Sequence, residues 1–282
     1  MRKLSNVLIL ILLVAAGVQA NAPTSRWADF DGGQVHYYDE GKRSNKALIL
    51  VHGWTCNADF WKDSYAAFPE YRVIAVDLPG HGKSDKPKTT YSMEYFARSI
   101  DAVMRTSKVD RAVIAGHSMG TPVARQFYRL YPQKTLGIIV VDGTLRNIVT
   151  PEQMAEFMRP LVENFKESGP KFLDGMLVPV KDESLKKMIR EAMSSAPEHV
   201  AVSAMREMND PAIWTNDKVD RPVLAVMAQS EWWPPNTRER FAEVAPKLEW
   251  HMWSGVSHFL QMERPREFNS LVSSFIKTNR LL

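Results

Sequence analysis

The sequence predicts an α/β chain: a mostly parallel sheet covered by helices on both faces, with an all-helical lid inserted between two strands. Three observations predict it. Short apolar runs of buried-strand type alternate with segments of helical period through most of the chain. One of these runs passes into a helical segment through Gly116-His117-Ser118-Met119-Gly120, a turn that needs small flanking residues. Between Arg146 and about Asn216 the strand rhythm stops and only helical patterns remain. A length of 282 residues is enough for one large α/β domain carrying such an insertion.

The chain opens differently from the rest. Arg2 and Lys3 precede an apolar run from Val7 to Val14, and Ala15 to Ala20 is small and neutral. Val18-Gln19-Ala20 suits signal peptidase, so residues 1–20 read as a secretory signal peptide and the protein as exported, periplasmic or secreted. An uncleaved anchor is the alternative, but the run is short for a spanning helix. No later segment is long and apolar enough to span. Removing Arg2 and Lys3 lowers the formal charge from +4 to +2. Scattered basic residues and so mild a charge argue against nucleic acid as a partner. Cys56 is the one cysteine, which excludes an internal disulfide; it reads as a small apolar filler more readily than as a reactive thiol.

After the leader, Gly32-Gly33 between two alternating runs signals a hairpin, hence an antiparallel edge. Buried strands follow in "KALILVHGW", "YRVIAVDLPGHGKSD", "RAVIAGHS", "LGIIVVDGT", "RPVLAVMAQSE" and "LEWHMWSGVSH". Helical spacing falls on Tyr91 to Ser107, Pro122 to Leu130, Asn236 to Val244 and Arg264 to Lys277. Residues 21–145 and 217–282 therefore form the core, and 146–216 the lid. In the lid, Thr150-Pro151-Glu152-Gln153 is a capping box, followed by Met154, Phe157, Met158, Leu161, Val162 and Phe165 at helical spacing. Further helices fit Ser184 to Met193 and Pro197 to Met208. The lid holds seven of the fourteen methionines, suited to an adaptable apolar pocket wall, although packing onto the body explains most of them.

A serine hydroxyl is a poor nucleophile near neutral pH. It needs a base, an acid that orients the base, and donors for the developing oxyanion. Ser118 sits between strand and helix, where a tight turn exposes the hydroxyl. His258 follows the last strand and can reach back over the sheet ends. His52-Gly53-Trp54 ends the first long strand, so the Trp54 N–H can point at an oxyanion, with the Met119 N–H as its partner. The remaining histidines form no metal-ligand spacing, and neither metal nor cofactor is implied.

These motifs, "VHGW", "VIAVDLPGHGKSD", "AGHSMG", "RPVLAV" and "SGVSHFLQMERPREF", resemble the α/β-hydrolase superfamily from about Gln34 to Phe275. They are most like its lid-bearing serine esterase, C–C hydrolase and haloperoxidase-like branch. The resemblance implies a triad in the chain order Ser, acid, His. Ser118 stands where haloalkane dehalogenases and epoxide hydrolases of this fold carry an aspartate. The family usually shows G-x-x-D after "PVLAV"; here Ala228-Gln229-Ser230-Glu231 puts Glu231 at the Asp position. Asp142, ending "LGIIVVD", is the alternative, because some relatives place the acid after that strand. Glu231 is favoured. Asp77 is read as part of a structural loop. The expected catalytic set is Ser118, His258 and Glu231, with Trp54 and Met119 as the oxyanion hole.

The function expected is acyl transfer on a small-molecule partner, a small or medium apolar ester. The alternatives are C–C bond hydrolysis or cofactor-free perhydrolysis by the same triad, and, from another class, a hydrolase-fold ligand-binding protein with slow turnover.

Overall fold

The computed structural model of the protein describes residues 23–65 and 67–282. The expected leader, residues 1–20, lies outside the described residues. Among the described residues no helix is long and apolar enough to cross a membrane.

The hairpin forms as the sequence predicts. Strands β1 (Ser25–Phe30) and β2 (Gly33–Gly41) pair antiparallel, Phe30 opposite Gly33. The two turn residues, Asp31 and Gly32, have φ 50° and 78°, the left-handed pair that a two-residue hairpin of this hand requires. The remaining strands are β3 (Lys46–Val51), β4 (Arg72–Val76), β5 (Arg111–His117), β6 (Thr135–Val141), β7 (Val223–Ala228) and β8 (Leu248–Trp253). Among the described residues they build one eight-stranded sheet in the order β1-β2-β4-β3-β5-β6-β7-β8. β2 meets β4 antiparallel, and every later pairing is parallel.

The central strands are apolar at nearly every position because both faces are covered. Alternate residues serve opposite layers. Ile49, Ile114, Val140 and Ala225 face one cluster. It contains helices α2 (Met93–Ser107), α3 (Gly120–Leu130) and α8 (Thr237–Val244). Leu50, Val113, Ile139 and Leu224 face the other, with the short helices α1 (Lys62–Tyr65) and α9 (Leu260–Glu263) and the long α10 (Pro265–Thr278). Each fully buried aliphatic side chain contributes about 1.5–3 kcal/mol of transfer free energy, so the period-2 pattern fixes the register.

The interval between β6 and β7 is helical: α4 (Pro151–Glu163), α5 (Phe165–Leu177), α6 (Glu183–Ser194) and α7 (Glu198–Met208). The Thr150 capping box closes reciprocally with Gln153. α5 is absent from the sequence reading. Gly169, Pro170 and Gly175 disfavour a helix locally; burial of Leu173 and Leu177 against the core overrides that propensity. All seven methionines of this stretch pack into the same core cluster.

Buried polar contacts seat the insertion. The Arg125 guanidinium, on α3, donates to the carbonyls of Leu145 (2.6 Å) and Thr215 (2.5 Å), at the two ends of the insertion. Arg240 on α8 donates to the Ile148 carbonyl at 2.6 Å. The Trp54 indole N–H donates to the Ala201 carbonyl of α7 at 2.9 Å. These bonds hold α4 to α7 over the carboxyl ends of the parallel strands.

Candidate active site

The turn after β5 is where the motif becomes geometry. A Cβ on Gly116 would lie 2.1 Å from the Gly120 carbonyl oxygen, and one on Gly120 would lie 2.5 Å from the Val51 carbonyl oxygen. Neither position admits a side chain, which is why two glycines bracket the serine. Ser118 itself has φ 52°, a left-handed backbone that costs a non-glycine residue about 1–2 kcal/mol. Its N–H is anchored on the Val141 carbonyl at 2.9 Å.

The strain is not confined to Ser118. Among the described residues, Thr55 (φ 55°) and Asp142 (φ 40°) are also left-handed. Thr55 is β-branched, for which this conformation is a true outlier. The three sit just beyond β3, β5 and β6, neighbouring strands in the sheet. Strain gathered at adjacent strand ends makes this a candidate functional site.

The structure brings His258 to Asp142. His258 Nδ1 lies 2.6 Å from Asp142 Oδ2. As the carboxylate only accepts, Nδ1 carries the proton, and Nε2 is left as the acceptor that a general base requires. The other carboxylate oxygen, Oδ1, accepts from the Ala228 N–H (2.9 Å) and the Trp233 indole N–H (3.2 Å). Asp142 is 5% exposed, so three N–H donors compensate a carboxylate almost wholly removed from water. The His258 ring lies 4.8 Å from that of His117, the neighbour of Ser118. Ser118 Oγ has no hydrogen-bond partner among the described residues. Such bonds often tighten only when substrate is bound.

The favoured acid, Glu231, is not brought to His258. It is exposed, and its side chain makes no hydrogen bond or ion pair among the described residues. The physical reason is the turn after β7: Trp233, two residues on, points its indole N–H inward at Asp142, while Glu231 stays on the solvent side. The acid beside the imidazole is the alternative weighed above, Asp142. Trp233 is a contact the sequence does not announce: nothing in the local sequence distinguishes it from Trp232 as the one that turns inward.

Gly53 and Met119 flank the serine. A Cβ on Gly53 would lie 3.1 Å from Ser118 Cβ. Met119 caps α3, whose N-terminal dipole favours negative charge. The backbone N–H groups of Trp54 and Met119 have no protein acceptor among the described residues, the state expected of donors awaiting an oxyanion. The Trp54 ring is buried against Phe172 at 5.7 Å and Phe165 at 6.0 Å, both on α5. Cys56 is buried, and burial pushes its thiol up, as suits an inert filler.

An aromatic path leads outward from Trp54. Phe172 meets Phe157 at 5.9 Å, and Phe157 meets Trp232 at 4.6 Å. The last two rim a mainly apolar groove of about 370 Å³ that also includes Val149, Met154, Gln153 and Glu156. A larger groove of about 800 Å³ runs along α10 past Asp63, Arg266 and Lys277; none of the residues above lines it.

Another Ser-His-Asp chain shows how little the triad means without its setting. Ser25 Oγ contacts His36 Nε2 at 2.9 Å, and His36 Nδ1 contacts Asp77 Oδ2 at 2.8 Å. Asp77 also accepts from the backbone N–H groups of Ala58 (2.7 Å) and Lys83 (2.9 Å). Its carboxylate fastens the segments after β3 and β4, the structural role read from the sequence. Burial alone would raise the Asp77 carboxyl, but these donors hold it below the usual range.

Burial pushes the imidazoles of His52, His81 and His117 down from the ordinary histidine value, His81 to about 3. The unfolded chain takes up these protons from about pH 6.5 downward, whereas the fold excludes them. The stabilisation is complete above that pH and is lost as the pH falls toward the folded values. The expected result is a thermal midpoint that drops steadily below about pH 6.5, at a cost on the order of 1 kcal/mol per pH unit for each histidine. A midpoint unchanged between about pH 7 and about pH 4.5 would contradict it.

Known proteins agree with this architecture. A family model described as alpha/beta hydrolase fold matches residues 46–177. The chain is 26% identical to a non-heme chloroperoxidase of Streptomyces lividans, over 88% of this chain and 98% of that protein. It is 27% identical to a 2-hydroxy-6-oxononadienedioate/2-hydroxy-6-oxononatrienedioate hydrolase of Paraburkholderia phymatum, over 90% and 96%. The solved structure of Est816, described as an N-acyl homoserine lactone degrading enzyme, superposes with a TM-score of 0.74. That comparison is at 26% identity and covers 89% of this chain and 100% of that one. With its sheet order, its strained serine turn and these relatives in accord, the chain has the α/β-hydrolase fold.

Proposed function

We propose that the protein is a serine hydrolase working by acyl transfer, with Ser118 as nucleophile, His258 as base and Asp142 as the acid. The observation that carries this is the 2.6 Å contact between His258 Nδ1 and the buried Asp142 carboxylate, beside a serine held at φ 52°. Ser118 Oγ attacks a carbonyl carbon as its proton passes to His258 Nε2. Asp142 stabilises the imidazolium formed. The oxyanion takes hydrogen bonds from the Trp54 and Met119 N–H groups. The imidazolium then protonates the leaving alcohol, and a water activated by the same base releases the acyl group.

The substrate class best supported is a small or medium ester with an apolar part. The aromatic path from Trp54 to the Phe157–Trp232 rim offers mainly apolar surface, with Glu156 the one charged residue lining the groove. Helices α4 to α7 act as the lid. The test is a panel of esters of graded acyl length, run beside a peroxidation assay and a C–C cleavage assay. Turnover of esters with an optimum in chain length supports the reading. Activity in the peroxidation or C–C assay alone would replace it with one of the chemistries of the relatives named above. A fluorophosphonate that fails to label Ser118 would favour a binding protein.

Export is part of the same proposal, supported by the basic, apolar and small-residue layout of the first twenty residues. N-terminal sequencing of the protein recovered outside the cytoplasm should begin near Asn21. Recovery of material beginning at Met1 would contradict cleavage.

A further inference from the structure

The motif position before the serine holds a histidine that the proposed chemistry leaves unused. His117 is 1% exposed. Its Nε2 lies 2.8 Å from the backbone carbonyl oxygen of His258, 141 residues further along the chain. A carbonyl only accepts, so Nε2 carries the proton. Nδ1 is then the bare nitrogen of a neutral ring, buried and with no hydrogen-bond partner among the described residues. Burial, and next to it the neighbouring His258 ring, push the His117 imidazole far below the ordinary histidine value. The ring is also clamped by packing: Phe259 lies 5.6 Å away and the His258 ring 4.8 Å.

We propose that His117 is a positioning residue for the base: its Nε2–H, donated to the His258 carbonyl, ties the histidine loop to the turn that carries Ser118. This rests on the serine-hydrolase reading above. The physical need is plain. Asp142 fixes the His258 ring through Nδ1, yet the ring hangs from a backbone that belongs to the loop after β8. Packing of the buried Ser257 and Phe259 confines that backbone, and a directional tie fixes it against β5. His117 follows directly from β5 and precedes the nucleophile by one residue, so one hydrogen bond fixes the base's backbone in the frame of the serine. A cation at this position would stand beside the imidazolium that forms in catalysis. Burial keeps His117 neutral and avoids that repulsion. An apolar residue would pack equally well but make no tie, and it would leave the His258 carbonyl short of a donor.

The experiment compares His117→Phe, which keeps an aromatic ring but removes the donor, with His117→Gln, whose amide N–H reaches a similar place. Ester turnover by Ser118→Ala is measured alongside. His117→Phe should lower kcat about 30-fold or more with KM changed less than about twofold, because misplacement of about 1 Å costs up to 10². His117→Gln should recover most of that loss. If His117→Phe keeps its kcat within about twofold, or if the two variants fall alike, the positioning role is overturned. Wild-type activity in Ser118→Ala would instead overturn the hydrolase reading beneath it. Should His117→Phe fail to fold, nitrogen NMR of the wild-type protein, with ¹⁵N-labelled histidine, decides. His117 should be a neutral ring protonated at Nε2, and should stay neutral below the pH at which an ordinary histidine takes up a proton. A cation, or a proton on Nδ1, would overturn the proposal.

Discussion

Ser118→Ala is expected to abolish ester hydrolysis and leave the fold intact. Loss of the serine from a comparable triad lowers kcat by about 10⁶, leaving what oxyanion donors and substrate binding supply. The change removes one oxygen that has no hydrogen-bond partner among the described residues, so no buried partner there is orphaned. The glycine contacts that shape the turn do not involve it, and alanine inherits the same left-handed strain. Thermal melting should move by no more than a few degrees, on the order of 1 kcal/mol. The two readouts belong together: a variant that is inactive because it is unfolded tests nothing, whereas a folded and inactive one isolates the hydroxyl. Turnover at the wild-type rate by a folded Ser118→Ala enzyme would end the serine-hydrolase proposal.

The strands were legible because burial on both faces writes itself into composition. Runs such as Ala47 to Val51 and Ile138 to Val141 are apolar at successive positions, and few other environments call for that. The serine turn was legible for a related reason: Gly116 and Gly120 answer to contacts with backbone atoms, which no compensating substitution elsewhere can relieve. α5 was not legible, because Gly169, Pro170 and Gly175 express a local preference that tertiary burial outweighs. The side chain that meets His258 was not legible for a deeper reason. Asp142 and Glu231 both follow strands that end at the site and both precede His258 in the chain. Order and spacing therefore do not separate them. What separates them is the direction each turn takes. The sequence held one clue in Gly143: a Cβ there would lie 2.2 Å from Thr121 Oγ1 and 2.6 Å from the Ser118 carbonyl oxygen. A glycine forced by contact with the serine turn places the preceding aspartate beside that turn.

The decisive comparison is therefore Asp142→Asn against Glu231→Gln. Every partner of the Asp142 carboxylate is a donor: the His258 Nδ1–H, the Ala228 N–H and the Trp233 indole N–H. An amide has one oxygen and one NH₂ group. Whichever way it turns, the NH₂ meets a donor, and a buried site offers no water to relieve the clash. The cheapest escape is for His258 to move its proton to Nε2 and accept from the amide through Nδ1. That tautomer presents Ser118 with a donor where a base is required. Loss of the negative charge also removes what stabilises the imidazolium. In a Ser-His-Asp protease the corresponding change lowers kcat by about 10⁴. A loss of about 10³–10⁴ is expected for Asp142→Asn, with the protein folded and KM little changed. Glu231→Gln alters an exposed side chain with no partner among the described residues, and its kcat should stay within about twofold of wild type. The contrast carries more weight than either value, because a general loss of stability would depress both variants. A crippled Glu231→Gln enzyme beside a nearly normal Asp142→Asn enzyme would return the acid to the turn after β7 and reduce the 2.6 Å contact to a structural bond.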